Sequence, residues 1–545
     1  MNSPLSRTKK NLRIGLVELF ADSVAFRVNI KFPSRAIDLL AAILRKAGYE
    51  TVTTFNSLYD AKGGQISRAY IAQLAQLDIV GFSAITSTQN QAYELAESLK
   101  AINPRLWTIF GGFHASCLPE EALQHGDIAV LYEADKTIVE LMDCLRDDLE
   151  HPALRDVAGI AFKDADGDMV KTAMRPFLTN DELDSLPFPV IPERILKRIN
   201  CNKIITARGC PYHCSFCTIN QHFGLQYRTL SIERSVELIA HAAAQFSRLT
   251  LMADDNFALN TKRAKAILEL MLKKGVTLSS WTAQVRVEAS KDTELLALLR
   301  RNHCRKVFVG IENINNASLE IFNKRSTSEK NEEAIRRFHE AGILVHGHFV
   351  LGTDADTAQT IRDTALFAKK LRLDTAYFLS LSPGPGSDLY QKYLSTNKLI
   401  TRNWRRYDGN NVVIWPEKIT PLELQQEIDR AYKVFYSLPE AAGYLFRPRI
   451  KLTTLLLRTV GYPAMRYIMA ARKPYEAEMG RLQKAVAGLE SRGASPQKSQ
   501  VSPDFEEFWQ RRQQSIQELP GRTPSIIPPV DLTGAQPAAR GGQPE

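Results

Sequence analysis

Cys210-Pro-Tyr-His-Cys214-Ser-Phe-Cys217 stands in a loop opened by Arg208-Gly209, directly after a strand-like run over 203–206. Thiolates are the ligands of iron–sulfur clusters. A loop this short directs three sulfurs at three irons of a 4Fe–4S cube and leaves the fourth iron without a local cysteine. An open iron separates the pattern from an electron-transfer ferredoxin, whose irons are all capped, and from structural zinc, which takes four closed ligands. His213 lies between two of the cysteines and is awkwardly placed to ligate beside both, so zinc is a minor alternative. The other four cysteines, Cys117, Cys144, Cys201 and Cys304, are scattered and read as small apolar packers. An odd total of seven, behind a start with basic residues but no apolar signal core, argues against a disulfide framework and for a cytoplasmic location.

Outward from the loop, apolar runs over 203–206, 248–253, 279–285, 306–311, 344–351 and 375–382 alternate with helical patterns near 231–246, 260–274, 291–302, 328–341 and 357–371. Six βα repeats predict a parallel barrel or partial barrel over 201–387, with its chemistry at the carboxyl ends of the strands. Upstream, residues 1–150 alternate in the same rhythm and predict a doubly wound parallel α/β domain that receives a ligand beyond its strand ends. Residues 151–200 read as a hairpin and a Pro-rich linker, 388–490 as a helical extension, and 491–545 as a mostly disordered tail with a short helix near 505–517.

With 545 residues, 44% hydrophobic and 24% charged, the chain has ample material for several cores. Its net charge of +10 is dispersed through mixed-sign helix faces, so no nucleic-acid partner is expected. No apolar run approaches a membrane span, although the basic, apolar stretch 447–473 admits peripheral membrane contact.

Cys-x3-Cys-x2-Cys after the first strand of a six-unit βα barrel resembles the radical S-adenosylmethionine (SAM) superfamily. The resemblance implies that the open iron chelates SAM and that reduction yields a 5′-deoxyadenosyl radical. It also implies SAM contacts at Phe216 and at the strand-end motifs: Asp254, Asp255 and Asn256, then Gln284 and Arg286, then Glu312, then Gly384 in the Ser-Pro-Gly-Pro-Gly turn. An acid at a strand end also caps helices, and this reading stays open for each one alone. His346 and His348, two apart on one strand, face the same side; they line the cavity, bind metal or are satisfied core histidines.

Phe32 to Tyr49, Asp78-Ile-Val-Gly-Phe-Ser and Phe110-Gly-Gly-Phe-His-Ala resemble the cobalamin-binding domain that precedes the barrel in one subgroup of that superfamily. The subgroup contains methylases of unactivated carbon or phosphorus, hopanoid-modifying enzymes and the anaerobic magnesium-protoporphyrin ester cyclase. Cobalamin contacts are therefore expected at Ser83, Thr86, Ser87, Gly111, Gly112 and His114, with Glu133 nearby. The chain lacks Asp-x-His-x-x-Gly, so no histidine is expected in place of the lower base. Tyr132-Glu-Ala-Asp135 stands where the subgroup usually has Gly-Glu-Gly-Glu, which adds Cβ atoms where backbone would approach the corrin. The resemblance implies cobalamin-dependent methylation of an unactivated carbon in a small-molecule or lipid-like substrate, with a reductant such as flavodoxin or ferredoxin. Radical cyclisation or rearrangement without methyl transfer is the first alternative, and a non-catalytic cluster-binding scaffold or redox sensor the second.

Overall fold

A computed structural model describes residues 12–20, 31–57, 66–324, 326–437, 452–492 and 502–517. The first sheet is built from β1 (Ile14–Glu18), β2 (Val52–Asn56), β3 (Ile79–Ser83), β4 (Trp107–Gly111), β5 (Ile128–Val130), β6 (Ile160–Lys163) and β7 (Met169–Lys171), in the order β2-β1-β3-β4-β5-β6-β7. The first five are mutually parallel, and β6 and β7 are antiparallel. The hairpin expected in a linker is thus the edge of this sheet: Ile128, Ala129 and Val130 pair with Phe162, Ala161 and Ile160, which buries those apolar residues against the domain. Register aligns Glu18 with Ser83 and Ser83 with Gly111, so the carboxyl ends of three strands stand side by side.

The second sheet contains β8 (Asn202–Ile204), β11 (Thr250–Met252), β12 (Trp281–Val285), β13 (Cys304–Glu312), β14 (Leu344–Leu351) and β15 (Thr375–Ser380), all parallel. Its order, β15-β14-β13-β12-β11-β8, leaves β15 and β8 as free edges, an open partial barrel. Between β8 and β11 lies a short antiparallel pair, β9 (Ala207–Arg208) with β10 (Arg228–Thr229).

Period-two alternation sorts the barrel's side chains. On β13, Val307, Val309 and Ile311 are fully buried against the surrounding helices, while Lys306, Phe308 and Gly310 face the lumen and are only half-buried. The helices meet the outer face with complementary stripes. Thr293–Arg301, capped by Asp292 on the Leu295 amide (2.9 Å), buries Leu295, Leu296, Leu298 and Leu299. Ser328–Glu340 buries Asn331, Ala334, Ile335 and Phe338.

After the barrel, the helix Pro421–Phe435 packs on Ala358–Lys370. The helix Leu452–Arg492 follows, and Glu506–Gln517 is a short helix inside the segment read as mostly disordered. Among the described residues no helix is long and apolar enough to cross a membrane, and part of the 447–473 stretch lies outside them.

Phe338 is completely buried in the barrel's outer core. Phe338→Ala is expected to cost about 3–5 kcal/mol of stability, read as a lower urea midpoint with an unchanged slope.

Candidate active site between the two sheets

The cysteine loop hangs from a neck. Ala207–Arg208 and Arg228–Thr229 form its two sides, and Gly209, at φ +83°, crosses where a Cβ would stand 2.3 Å from the Gln226 carbonyl oxygen. Only glycine accepts both the left-handed backbone and the approach. Beyond the neck the loop is anchored from outside. The Ser215 hydroxyl donates to the Ile321 carbonyl (2.5 Å) and its amide to that of Phe322 (3.2 Å). The Asn323 amide group donates to the His213 carbonyl (2.7 Å), and Asn220 to that of Tyr212 (2.7 Å). His213 itself turns outward to within 3.4 Å of Asp388, with about half its side chain exposed.

Cys210, Cys214 and Cys217 are half-buried and near enough to act on one another electrostatically. Burial pushes all three thiols up, Cys217 to about 12, and the neighbouring sulfurs and Asp255 add to the shift there. The Lys324 ammonium and Arg286 guanidinium oppose it at Cys214. Three thiolates in such surroundings call for a multivalent cation, and this donor set fits an iron–sulfur cluster. Among the described residues no three His, Cys, Asp or Glu side chains are grouped for a single metal ion. A cubane takes each thiolate on a separate iron.

The residues expected around SAM divide by role. Asp254 is fully buried and accepts from the Thr206 amide (2.5 Å), the Thr206 hydroxyl (2.6 Å) and the Ala207 amide (3.1 Å), so its carboxylate is consumed in shaping the neck. Asp255 faces the cavity between the sheets and accepts from the Gly209 amide; burial and the charge of Asp254 push its carboxyl up to about 6. Asn256 is buried with its Oδ1 unpartnered. Gln284 is half-buried at the end of β12. Arg286 lies over the Tyr212 ring, 3.9 Å from its centroid, and pairs with Glu288 (3.2 Å). Glu312, at φ +65°, pairs with Lys324 (2.5 Å). Phe216 packs edge-on against Phe322 at 4.9 Å, and Gly384 lets the Pro-Gly turn approach Thr218, where a Cβ would stand 2.8 Å from the methyl.

The cavity, about 490 Å³, is lined from both sheets: Ser83, Gly111 and Gly112 from the first, Lys203, Arg208 and Asp255 from the barrel side. A Cβ on Gly111 would meet only the Phe82 carbonyl oxygen, at 3.8 Å, so the position is open toward the hollow and leaves room for a large planar group. At Gly112 (φ +104°) a Cβ would stand 2.4 Å from the Ala84 carbonyl oxygen, so the neighbouring loop already demands glycine there. Thr86, Ser87 and His114 are not among the lining residues. His114 follows Phe113 into a helical turn, which rotates it about 100° away. It is buried against Trp404 (4.7 Å) and Glu121 (3.3 Å), whose carboxylate also accepts from the Trp404 indole (2.7 Å).

Three functional positions escaped sequence reasoning. Arg208 pairs with Asp135 through both guanidinium nitrogens (2.7 and 2.9 Å) and with Glu133 (2.9 Å). Arg228 pairs with both Glu133 oxygens (2.9 and 2.8 Å) and donates to the Leu178 carbonyl (3.0 Å). Burial opposes the Asp135 charge, yet the Arg208 guanidinium outweighs it and holds that carboxyl below its usual range. Glu133 and Asp135, the two acids of this segment, are therefore counter-charges that tie the first domain to the neck. The third is His222, which lines the cavity, stacks on Phe113 at 4.1 Å and is held neutral because burial pushes it down to about 4. The only signal for the arginines was Arg208 standing next to Gly209; His222 carried none.

Comparison with known proteins agrees with this layout. Residues 204–368 match the Radical SAM superfamily and residues 23–142 the B12 binding domain. The chain is 31% identical over 373 residues to an uncharacterised methyltransferase of Pyrococcus horikoshii, covering 67% of this chain and 79% of that one. It is 27% identical over 405 residues to bacteriochlorophyllide d C-8(2)-methyltransferase of Chlorobaculum tepidum, covering 70% and 82%. The fold is shared with the radical SAM methyltransferase TsrM of Kitasatospora setae, solved with cobalamin and a 4Fe–4S cluster: TM-score 0.64, 16% identity, 84% of this chain and all of that one. An α/β cobalamin-binding domain followed by a radical SAM partial barrel defines the class. This chain belongs to the cobalamin-binding radical SAM enzymes, whose cofactors are SAM, a 4Fe–4S cluster and cobalamin.

Arg208→Met is expected to cost about 3–5 kcal/mol in the apo chain, because it strands the buried Asp135 carboxylate while Glu133 keeps Arg228; the check is denaturant unfolding. His222 contributes stability that is present above its unfolded value near 6.5 and is lost as pH falls toward 4. At pH 5 the loss is about 2 kcal/mol relative to neutral pH. In His222→Phe the same pH step is expected to cost correspondingly less.

Proposed function

We propose that this enzyme methylates an unactivated carbon of a small molecule, with Cys210, Cys214 and Cys217 holding the cluster. The observation that carries the reading is the shared cavity: Ser83 and Gly111 of the first domain and Asp255 and Arg208 beside the cysteine loop line one hollow. When bound, the cluster with SAM supplies a 5′-deoxyadenosyl radical and cobalamin supplies a methyl group. The chain's part is orientation and exclusion. Arg286 and Lys324 set positive charge beside Cys214, which eases its deprotonation. Asp255, bonded to the Gly209 amide, holds the first turn of the loop from the cavity side. Apolar walls such as Phe82, Ile109 and Phe223 limit water around the reacting groups. The clamp of Arg208 and Arg228 keeps the two halves of the cavity in register. A reductant such as flavodoxin or ferredoxin supplies the electrons.

With methyl-labelled SAM, a reductant and cobalamin, label is expected in the product. A product without label, formed together with 5′-deoxyadenosine, would overturn methyl transfer in favour of cyclisation or rearrangement. Cys214→Ala is expected to lose iron and to make no 5′-deoxyadenosine, measured by metal analysis and chromatography.

A further inference from the structure

The lower half of the barrel lumen holds groups that the reading above leaves idle. Register brings Phe308 beside His346 and Gly310 beside His348, and on the next strand His346 beside Thr375 and His348 beside Tyr377. The rings of Phe308, His348 and Tyr377 lean on one another at 5.7 and 5.6 Å, with planes 32° and 36° apart, and so make a tilted row of rings, a shelf. His346 stands edge-on to all three, at 79°, 88° and 75°. The shelf is on the lumen side: the alternate residues Val307, Phe349 and Phe378 are the ones buried against the outer helices. It is open at the Tyr377 end, where that side chain remains 38% exposed, and closed at His346.

The shelf has an unanswered polar end. Lys306, two residues before Phe308, extends its ammonium to 5.2 Å from that ring and forms no ion pair among the described residues. His346 Nε2 and His348 Nε2 are buried with no hydrogen-bond partner. His346 Nδ1 lies 2.6 Å from the Thr375 hydroxyl. If that hydroxyl donates, the imidazole proton is on Nε2, aimed away from Thr375 and without an acceptor. Burial pushes Lys306, His346 and His348 toward their neutral forms, against the opposing charges of Asp374 at Lys306 and Glu312 at His348. At the other end, the Glu312 and Lys324 charges act on both His348 and Cys214, so the shelf runs up toward the cysteine loop.

We propose that this shelf is the acceptor-substrate subsite and takes a flat conjugated ring bearing a carboxylate, the ring on Phe308, His348 and Tyr377 and the carboxylate on Lys306 and His346. Aromatic faces stack on extended π-systems and gain less from a saturated ring. A half-buried ammonium beside an unpartnered imidazole nitrogen that can carry a proton selects an anion over a neutral isostere. The ring edge remote from the carboxylate then faces the cysteine loop, where a hydrogen is to be removed. This last step rests on the methyl-transfer reading; the binding does not.

The test is equilibrium binding, by calorimetry or ligand-observed NMR, to the anaerobic holoenzyme with SAM and without reductant. The probes are 2-naphthoate, 2-naphthylmethanol and decahydro-2-naphthoate. Naphthoate is expected to bind about tenfold or more tightly than the neutral alcohol and about threefold or more tightly than the saturated acid. Lys306→Met is expected to erase the preference for the acid while leaving the alcohol's affinity unchanged, and Tyr377→Leu to erase the preference for the aromatic ring. Equal binding of the three probes to the wild type, or no naphthoate binding at millimolar concentration, overturns the proposal whether or not the variants fold. So does naphthoate affinity unchanged in both folded variants. The selectivity series without label transfer would leave the subsite standing and sink methyl transfer, and label transfer without the series would do the reverse.

Discussion

Four buried charges hold the molecule's halves together. Glu133 and Asp135, just past the end of β5, meet Arg208 and Arg228 on the two sides of the loop neck, two negative and two positive groups with little access to water. Such a set is expensive to desolvate and worth little over an apolar equivalent in net stability, but removal of any member leaves an uncompensated charge. Its value here is register. Arg208 is two residues before Cys210, so the position of the cysteine loop relative to the first sheet is set by hydrogen bonds of 2.7–2.9 Å. Arg35 adds a second tie from the first domain, donating to Asn202 Oδ1 (2.9 Å) and to the Lys203 carbonyl at the start of the barrel.

The cavity follows from that clamp. Parallel strands end together because their register is shared, and the clamp turns the ends of one sheet toward the first strand of the other. Water is excluded by side chains that belong to neither core: Phe113 and His222 stack across the boundary, each from a short helix that begins at the end of a strand or loop. On the barrel side the period-two alternation separates two environments. Outward residues are aliphatic or aromatic and packed; inward ones carry charge, imidazole or exposed rings, which a sealed core would not tolerate without partners.

Much of this was legible in the chain. The three cysteines, the six βα repeats and the doubly wound first domain are local patterns, because alternation and loop spacing are properties of neighbours in sequence. The strand-end acids were legible as positions but not as roles. Asp254 and Asp255 are adjacent, yet one is spent on the Thr206 and Ala207 amides and the other faces the hollow, a division that depends on which way each side chain leaves the strand. His114 looked like a ligand contact because it follows two glycines, but its helical turn delivers it to Trp404, nearly three hundred residues away.

Sequence by itself determined the class of chemistry: a Cys-x3-Cys-x2-Cys loop behind a strand is a local donor set, and its spacing survives whatever surrounds it. Tertiary structure alone decided what faces that donor set. The pairing of Arg208 and Arg228 with two acids 73 to 95 residues upstream, and the gathering of Phe308, His346, His348 and Tyr377 into one shelf, join residues from separate elements. Electrostatic and ring contacts act through space, and no periodicity along the chain encodes which distant charges or rings will meet.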